Sequence, residues 1–435
     1  MTETHTKSGL FGWYFGTNIL VRILLGLILG AIGGLLFQGS AEAVAWLKPF
    51  GDIFIRLLKM IVVPVIGCTL IVGASSISPA HLGRIGLKVI LFYMFTSVCA
   101  IVIGLLVGRI LEPGAGLDLA KNASLAVAHT AHPPTVTETL LNIIPTNPMS
   151  AISNGKVLQI IFFCIFFGIS LAFGRDSQDE KIQKSSEVVF SFFDGAANVM
   201  FRVVSWIMEY APIGVFALIF TVFSINGETA FGSLAGVTFS VYLALILQVL
   251  LVYCVLCAIN KLSPVKFLSK VRTPMITAFV TRSSGATLPV SIKAANEGMG
   301  IPQSIYGFSL PVGATINMDG TTIYLGVCAM FIANAVGVPL DLSAQLTIVL
   351  TAVLASIGTA GVPGAGAIML LMVLESVGLN VEAGSAVAVA YGMILGIDAL
   401  LDMGRTAMNV VGDLTGALVV AKSENELDKP VWDKD

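Results

Sequence analysis

The stretch TPMITAFVTRSSGATLPVSIKAA, residues 273–295, is apolar at both ends and broken at its centre by SSGATLP (283–289). Crossing a bilayer takes about 20 consecutive apolar residues. Neither side of the break has enough of them for one spanning helix, so the stretch is expected to enter the membrane and return as a helical hairpin. Non-helical backbone at that depth is tolerated only where protein buries it or where it lines a watery cavity. The same device recurs at GTAGVPGAGA (358–367), inside the apolar stretch 345–376. Each break is followed by an apolar segment carrying polar groups: NMDGT (317–321) lies within 304–336, and Asn409 and Asp413 lie within 385–422. The order break, helix, break, helix is an internal repeat.

Working outward, composition identifies the solvent. Hydrophobic residues make up 56% of the 435, charged residues only 11%, and mean hydropathy is +0.91, far from the soluble average of about 25% charged. This is an integral membrane protein. Further apolar runs near spanning length fall at 10–37, 50–76, 85–111, 156–174, 187–224 and 230–259. In such a chain, paired Gly/Pro-interrupted segments in corresponding positions point to the binding site of a secondary transporter. The net charge of −2 offers no basic footprint for nucleic acid, and no G-x-x-x-x-G-K-[ST] phosphate loop supports ATP-driven pumping. The polar start MTETHTKSG leads into an apolar run long enough to span and without an A-x-A exit, so no cleavable signal is expected.

Lys and Arg concentrate in cytoplasmic loops. With the N-terminus inside, the inner loops collect Lys7, Arg84, Lys88, Arg175, Lys181, Lys184, Lys261, Lys266, Lys270, Arg272, Lys422, Lys429 and Lys434, while the outer side keeps little beyond Lys48, Arg109 and Lys121. Both termini are therefore expected in the cytoplasm, with the first hairpin entering from inside and the second from outside. That opposition is what an inverted repeat requires.

Other signals are weaker. The six cysteines lie in apolar runs, where cysteine behaves as a small hydrophobe, and Cys254-x-x-Cys257 lacks the β-α-β context of a redox motif. In the polar stretch 112–155, His129 and His132 have no acidic or cysteine neighbours to complete a zinc site. Asn122-Ala-Ser124 matches a glycosylation sequon, a short pattern with little weight by itself. Gly26, Gly30, Gly33 and Gly34 in the first span indicate close helix packing.

The most informative polar pattern is LLDMGRTAMNVVGDLTGALVVAK, residues 400–422. At about 100° per residue, Asp398, Asp402, Arg405, Asn409 and Asp413 share an arc of roughly 80°, with Thr406 at its border. Each ionised group at the bilayer centre costs about 2.5–3.5 kcal/mol on the insertion scale, so this stripe must face the protein interior or water. An Asp402–Arg405 pair at i, i+3 accounts for two charges and leaves Asp398, Asn409 and Asp413 over. Asp319, beside Gly320 and near Gly313, favours a locally unwound helix whose carbonyls, with carboxylate and Asn oxygens, suit a hard cation. The rival class, an intramembrane aspartic protease, lacks a G-x-G-D around any of these aspartates.

The motifs TRSSGATLP (281–289), GATINMDGT (313–321), SIGTAGVPGAGA (356–367) and DMGRTAMNVVGDLTG (402–416), with LLNIIPTNP (140–148) and YAPIGVFALI (210–219), resemble the dicarboxylate/amino acid:cation symporter family. Within it, the chain is most similar to the prokaryotic sodium-coupled aspartate/glutamate transporters, relatives of the excitatory amino acid transporters. The resemblance spans essentially the whole chain. It implies an all-α homotrimer of the elevator type, each protomer having eight transmembrane helices and two re-entrant hairpins with inverted repeats. Residues 1–83 and 113–228 would form the scaffold, 84–112 and 229–422 the moving transport domain, and 423–435 a cytoplasmic tail. The second hairpin would be the gate.

Residue by residue, the resemblance makes Arg405 the partner of the substrate's side-chain carboxylate, a bidentate fork that Lys does not copy. Asp402 would take the α-ammonium. Thr406 and Asn409, the first-hairpin positions Ser283 and Ser284, and the second-hairpin backbone from Val362 and Pro363 to Gly366 would bind the remaining polar groups, with Thr321 lining the pocket. Three sodium sites are implied. One uses the Gly313, Asn317 and Asn409 carbonyls with the Asp413 carboxylate. A second uses the Thr315, Met318, Ser356, Ile357 and Thr359 carbonyls. The third uses the Asn317 and Asp319 side chains with Tyr93, Thr96 and Ser97.

Departures from the family pattern also carry meaning. Leu325 stands where animal relatives have a Glu tied to proton and potassium coupling, so that route is expected to be absent. The first hairpin reads SSGAT rather than SSSGT or SSSAT, which alters hydrogen bonding at Gly285, and Arg282 is expected to pair with Asp398 or another buried acid. The expectation is a sodium-coupled importer of L-aspartate, with L-glutamate as the neighbouring choice, in the inner (plasma) membrane. The alternatives are a proton-coupled glutamate or C4-dicarboxylate symporter of the same fold, and an anion channel. Asp402 disfavours a substrate without an amino group, since a carboxylate there meets a second carboxylate.

Overall fold

The computed structural model describes residues 17–75, 84–117, 119, 141, 143–357, 364–382 and 384–434, and among these there are helices and turns but no strand. Eight helices among the described residues are long and apolar enough to cross a membrane. Six precede residue 260: α1 (Ile19–Leu36), α2 (Ala41–Ser75), α3 (Arg84–Leu111), α5 (Val157–Arg175, after the short α4, Pro148–Ser153), α6 (Glu180–Asn226) and α7 (Thr229–Gln248). The last continues through a π turn, Val249–Tyr253, into α8 (Cys254–Ile259). The other two spans are α11 (Gln303–Ile316) running into α12 (Asp319–Val336), and α15 (Ala386–Ser423).

Between these lie two pairs of shorter helices. The first is α9 (Pro264–Thr281) with α10 (Ser284–Lys293), which pack on each other. Its break is narrower than the seven residues SSGATLP: only Arg282 and Ser283 separate the helices. Arg282 takes the left-handed conformation (φ 53°) and donates its N–H to the Ala278 carbonyl at 2.8 Å, closing α9. The Ser283 hydroxyl accepts the Ala286 N–H at 3.2 Å, so the small residues behind it begin a helix rather than a loop. The second pair is α13 (Leu342–Ser356) with α14 (Ala365–Ser376); residues 358–363 of its break lie outside the described residues.

Burial separates inner from outer elements. The most apolar stretch of α11–α12 is 100% buried and that of α15 83%, against 33% for α1. A helix wrapped by protein can carry a polar stripe that lipid would reject. The glycines of α1 serve packing, as expected: a Cβ on Gly26 would stand 2.5 Å from the Pro212 carbonyl oxygen of α6, and one on Gly30 2.6 Å from that of Phe216. An unanticipated ion pair ties the same two helices, Arg22 to Glu209 at 2.7 Å.

Beyond α15 the chain folds back instead of trailing free. The Asp428 N–H donates to the Gly300 carbonyl at 2.9 Å, and α16 (Lys429–Asp433) buries Trp432. From α9, Lys270 donates to the Gly298 carbonyl at 2.7 Å and the Lys434 carbonyl at 2.9 Å. Glu424 meets Arg84 and, at 2.5 Å, Lys88 of α3. Those two cations hold its carboxyl below the usual carboxylate range. The six cysteines are free.

Candidate functional site

The polar stripe of α15 is buried along its length, Asp398, Asp402, Arg405, Thr406, Asn409 and Asp413 each being 6% exposed or less. Facing it is the step between α11 and α12, where Asn317 and Met318 leave helical geometry and free their neighbours' backbone groups. Gly320 is required at this step, because a Cβ there would collide with the backbone of Arg405. Asn409 fixes the contact from the other side: its Oδ1 accepts the Gly320 N–H at 2.8 Å and the Thr321 N–H at 3.4 Å, and its amide reaches Met318 Sδ at 3.0 Å and Thr321 Oγ1 at 3.3 Å.

Arg405 sits at the centre of one half of the stripe. It donates Nε to Asp402 at 3.0 Å and Nη1 to Asp398 at 2.8 Å, so the i, i+3 pair exists and Asp398, left over by that pairing, is drawn in as well. Tyr324 of α12 lies under the guanidinium, 4.5 Å from ring centre to Cζ. The Gly366 backbone of α14 lies so close that a Cβ would stand 2.5 Å from Cζ. Thr406 donates to Asp402 at 3.3 Å. Arg282, expected beside Asp398 or another acid, finds Asp402, at 3.9 Å. Two buried polar atoms here, Ser284 Oγ and Tyr324 OH, have no hydrogen-bond partner among the described residues, and Asp402 Oδ2 has only the Arg282 ion pair at 3.9 Å. Buried polar atoms left unpaired cost about 1–3 kcal/mol each, so this cluster has capacity for a polar ligand.

The other half is built around Asp319 and Asp413. Asn317 donates to Asp413 Oδ1 at 3.0 Å and to the Asn409 carbonyl at 3.3 Å, while a Cβ on Gly313 would stand 2.5 Å from Asp413 Oδ1. The residues of the first expected cation set are therefore neighbours, joined here by the Asn317 side-chain amide, while the Gly313 carbonyl accepts the Asn317 N–H at 2.9 Å. In the third set, Ser97 donates to Asp319 Oδ1 at 2.8 Å, Thr96 reaches Asn317 Oδ1 at 3.4 Å, and the Tyr93 hydroxyl reaches the Ser309 carbonyl at 3.0 Å and the Asp413 carbonyl at 3.4 Å. Of the second set, Thr315 and Met318 lie at the step between α11 and α12, and Ser356 and Ile357 at the end of α13. The Thr315 and Ser356 hydroxyls donate to the Val312 and Val353 carbonyls of their own helices, which leaves the expected backbone-carbonyl ligands as they are. Thr359, Val362 and Pro363 lie outside the described residues, as do His129, His132 and the Asn122 sequon.

Three participants were not anticipated. Tyr253 donates to Asp319 Oδ2 at 2.7 Å, Gln248 reaches the same oxygen at 3.4 Å, and Tyr324 stacks on Arg405. The signal for Gln248 was available: it is an amide alone in the run LALILQVLLVYCVL (243–256).

Residues 19–423 match the model of the sodium:dicarboxylate symporter family. The chain belongs to that family. Members of the sodium:dicarboxylate symporter family are transporters, so this is a multi-pass membrane symporter and not an enzyme. It is 36% identical to the proton/sodium-glutamate symport protein of Bacillus caldotenax, over 93% of this chain and 94% of that one. It is 34% identical to the proton/glutamate-aspartate symporter of Escherichia coli K12, over 94% and 93% of the two chains. The C4-dicarboxylate transport protein of Bacillus subtilis 168 is 31% identical over 95% of each chain.

Proposed function

We propose that this symporter imports L-aspartate, with L-glutamate as the neighbouring substrate, coupled to sodium ions. The observation that carries the reading is an asymmetry of charge. Asp398 and Asp402 share the guanidinium of Arg405, whereas Asp319 and Asp413 make no ion pair among the described residues and are met by neutral donors. Buried carboxylates without basic partners call for cations. A cluster of one arginine and two aspartates suits a zwitterion bearing an extra carboxylate. Arg405 would exchange Asp398 for the substrate's side-chain carboxylate, Asp402 would receive the α-ammonium, and Thr406, Asn409, Thr321, Ser283, Ser284 and the backbone of Val362, Pro363 and Gly366 would complete the pocket. Sodium would bind at the three sets of oxygens named above.

In this reading, α3, α7 to α15 (residues 84–112 and 229–422) move as a transport domain against the scaffold of 1–83 and 113–228, in a homotrimer of the inner membrane with both termini cytoplasmic. α9–α10 and α13–α14 are the re-entrant hairpins. Their Gly- and Ser-rich breaks and their position flanking the buried α11–α12 span support this. Moving one net charge down 100 mV supplies about 2.3 kcal/mol, so several sodium ions per anionic substrate concentrate it strongly.

A C4-dicarboxylate or proton-coupled glutamate substrate cycle is the second reading, supported by relatives of comparable identity carrying those names. One experiment separates them: uptake of labelled L-aspartate, L-glutamate and succinate into proteoliposomes, under an inward sodium gradient or a proton gradient alone. Sodium-driven aspartate uptake that is lost in Arg405→Ala supports the reading. Uptake driven by protons alone, or succinate outcompeting aspartate, overturns it.

A further inference from the structure

Asp319 is gripped from a side that the sequence motifs do not include. The π turn at Val249–Tyr253 interrupts α7 between Gln248 and Cys254 and changes the helical register there, and such single turns recur at functional sites. Both residues at its ends point at Asp319. The Tyr253 hydroxyl donates to Oδ2 at 2.7 Å; the Gln248 amide donates to the same oxygen at 3.4 Å and to the Thr96 carbonyl of α3 at 3.1 Å. Both side chains are fully buried, and Gln248 Oε1 has no donor among the described residues, so the amide is oriented for what its N–H groups hold. Gly412 leaves the room: a Cβ there would stand 2.6 Å from both the Tyr253 hydroxyl and Asn317 Nδ2.

The two carboxylate oxygens of Asp319 are thereby given different company. Oδ2 is tied by donors from α7, one of them a phenol whose ring fixes its position. Oδ1 meets the Ser97 hydroxyl at 2.8 Å, a rotor that can turn its proton away and present a lone pair instead. We propose that Gln248 and Tyr253 are positioning residues for a sodium ion at Asp319: they anchor Oδ2, aim Oδ1 at the ion, and, through the Gln248 grip on Thr96, set the spacing between α3 and α12 that decides which alkali cation fits. This rests on the cation reading of Asp319 given above.

The test is binding rather than transport. The full chain, purified in detergent without substrate, is melted across a sodium series at constant ionic strength, since a ligand of the native state raises stability by RT ln(1 + [L]/Kd). Lithium is titrated in parallel. Tyr253→Phe is expected to raise the apparent sodium Kd about tenfold, the loss expected for a hydrogen bond to a charged group, and Gln248→Leu to change the sodium-to-lithium ratio. Tyr242→Phe, which deletes a hydroxyl bonded to the Leu400 carbonyl at 2.8 Å, is expected to leave both series unmoved. Sodium and lithium curves of Tyr253→Phe and Gln248→Leu that superimpose on wild type, with Asp319→Asn shifted, overturn the inference and leave the cation reading standing. An unshifted Asp319→Asn overturns that reading too. If Tyr253→Phe fails to fold, the ion ratio of Gln248→Leu decides.

Discussion

Along one face of α15, two carboxylates near the middle, Asp398 and Asp402, share the guanidinium of Arg405, while about three turns beyond Asp402 Asp413 and its neighbour Asp319 are held by amide and hydroxyl groups alone. Both regions are equally dry, so burial does not separate them. Counter-charge does. The first region carries its own cation and can trade one internal contact for a contact to a ligand that brings both signs of charge. The second has carboxylates without a basic partner among the described residues, and in the reading proposed above an arriving cation supplies the counter-charge. A symporter needs both kinds of region within reach of each other, and Asn409 links them, touching the α12 start beside Arg405 and accepting from Asn317 beside Asp413.

The most damaging way to break the contrast is to remove the shared cation. Arg405→Ala leaves Asp398 and Asp402 buried without their main partner, a change that costs about 3–5 kcal/mol, and aspartate uptake should fall to background. Retained uptake in proteoliposomes means the first region is only a structural pair. Neutralising the second region should do the opposite to stability. Asp319→Asn is expected to raise the half-saturating sodium concentration at least about tenfold, the effect of losing an interaction of about 1.4 kcal/mol, while the melting temperature without sodium stays level or rises, because an unrelieved buried charge has gone. A lower sodium-free melting temperature contradicts the contrast.

A finer probe is Asp398→Asn, which weakens one internal competitor for Arg405 and keeps Asp402 in place. Equilibrium binding should show aspartate bound several-fold more tightly at saturating sodium; weaker binding means that Asp398 holds Arg405 in its binding pose instead of competing for it. The smallest effect is expected at Glu424, whose partners Arg84 and Lys88 are exposed although its own side chain is largely covered, so that the pair is screened by solvent from the cation side. Because its pKa is lowered by those cations, its contribution is complete above the ordinary value of 4.5 and disappears as pH falls through the lowered one. Melting curves of Glu424→Gln should therefore lack the last part of the wild-type decline at acid pH.

Much of this architecture is legible in the residues because burial in a membrane forbids ordinary uses of Asp, Arg and Asn. The 3.6-residue spacing of Asp398 to Asp413 predicts one buried face, and the structure has it. The glycines of α1, the step at Asn317–Met318 and the two interrupted stretches follow from equally local chemistry. Other features rest on non-local geometry. Tyr253 reads as one more amphipathic residue in an apolar helix until the π turn changes its direction, and no periodicity argument carries across such a turn. Arg282, in the two-residue break before the Ser283-capped helix, meets Asp402, a partner that no sequence spacing selects. The residues after 423, read from the sequence as a cytoplasmic tail, are held by the Gly300 carbonyl, which accepts the Asp428 N–H, and by Lys270, which donates to the Lys434 carbonyl, contacts that no sequence pattern advertises.

That last attachment bears on how the chain is made. The residues from Glu424 to Lys434 clasp α3, α9 and the chain around Gly298 to Ser304, all of which leave the ribosome before them. The base of the first helix pair therefore waits, unfastened, through synthesis of everything up to α15, and closes only when a stretch of roughly ten residues emerges and seats Trp432. Assembly of this membrane protein thus has a latch that closes after α15, and a nascent chain stalled before residue 424 should present the Gly298 end of α9 and α10 to quality control as unfinished.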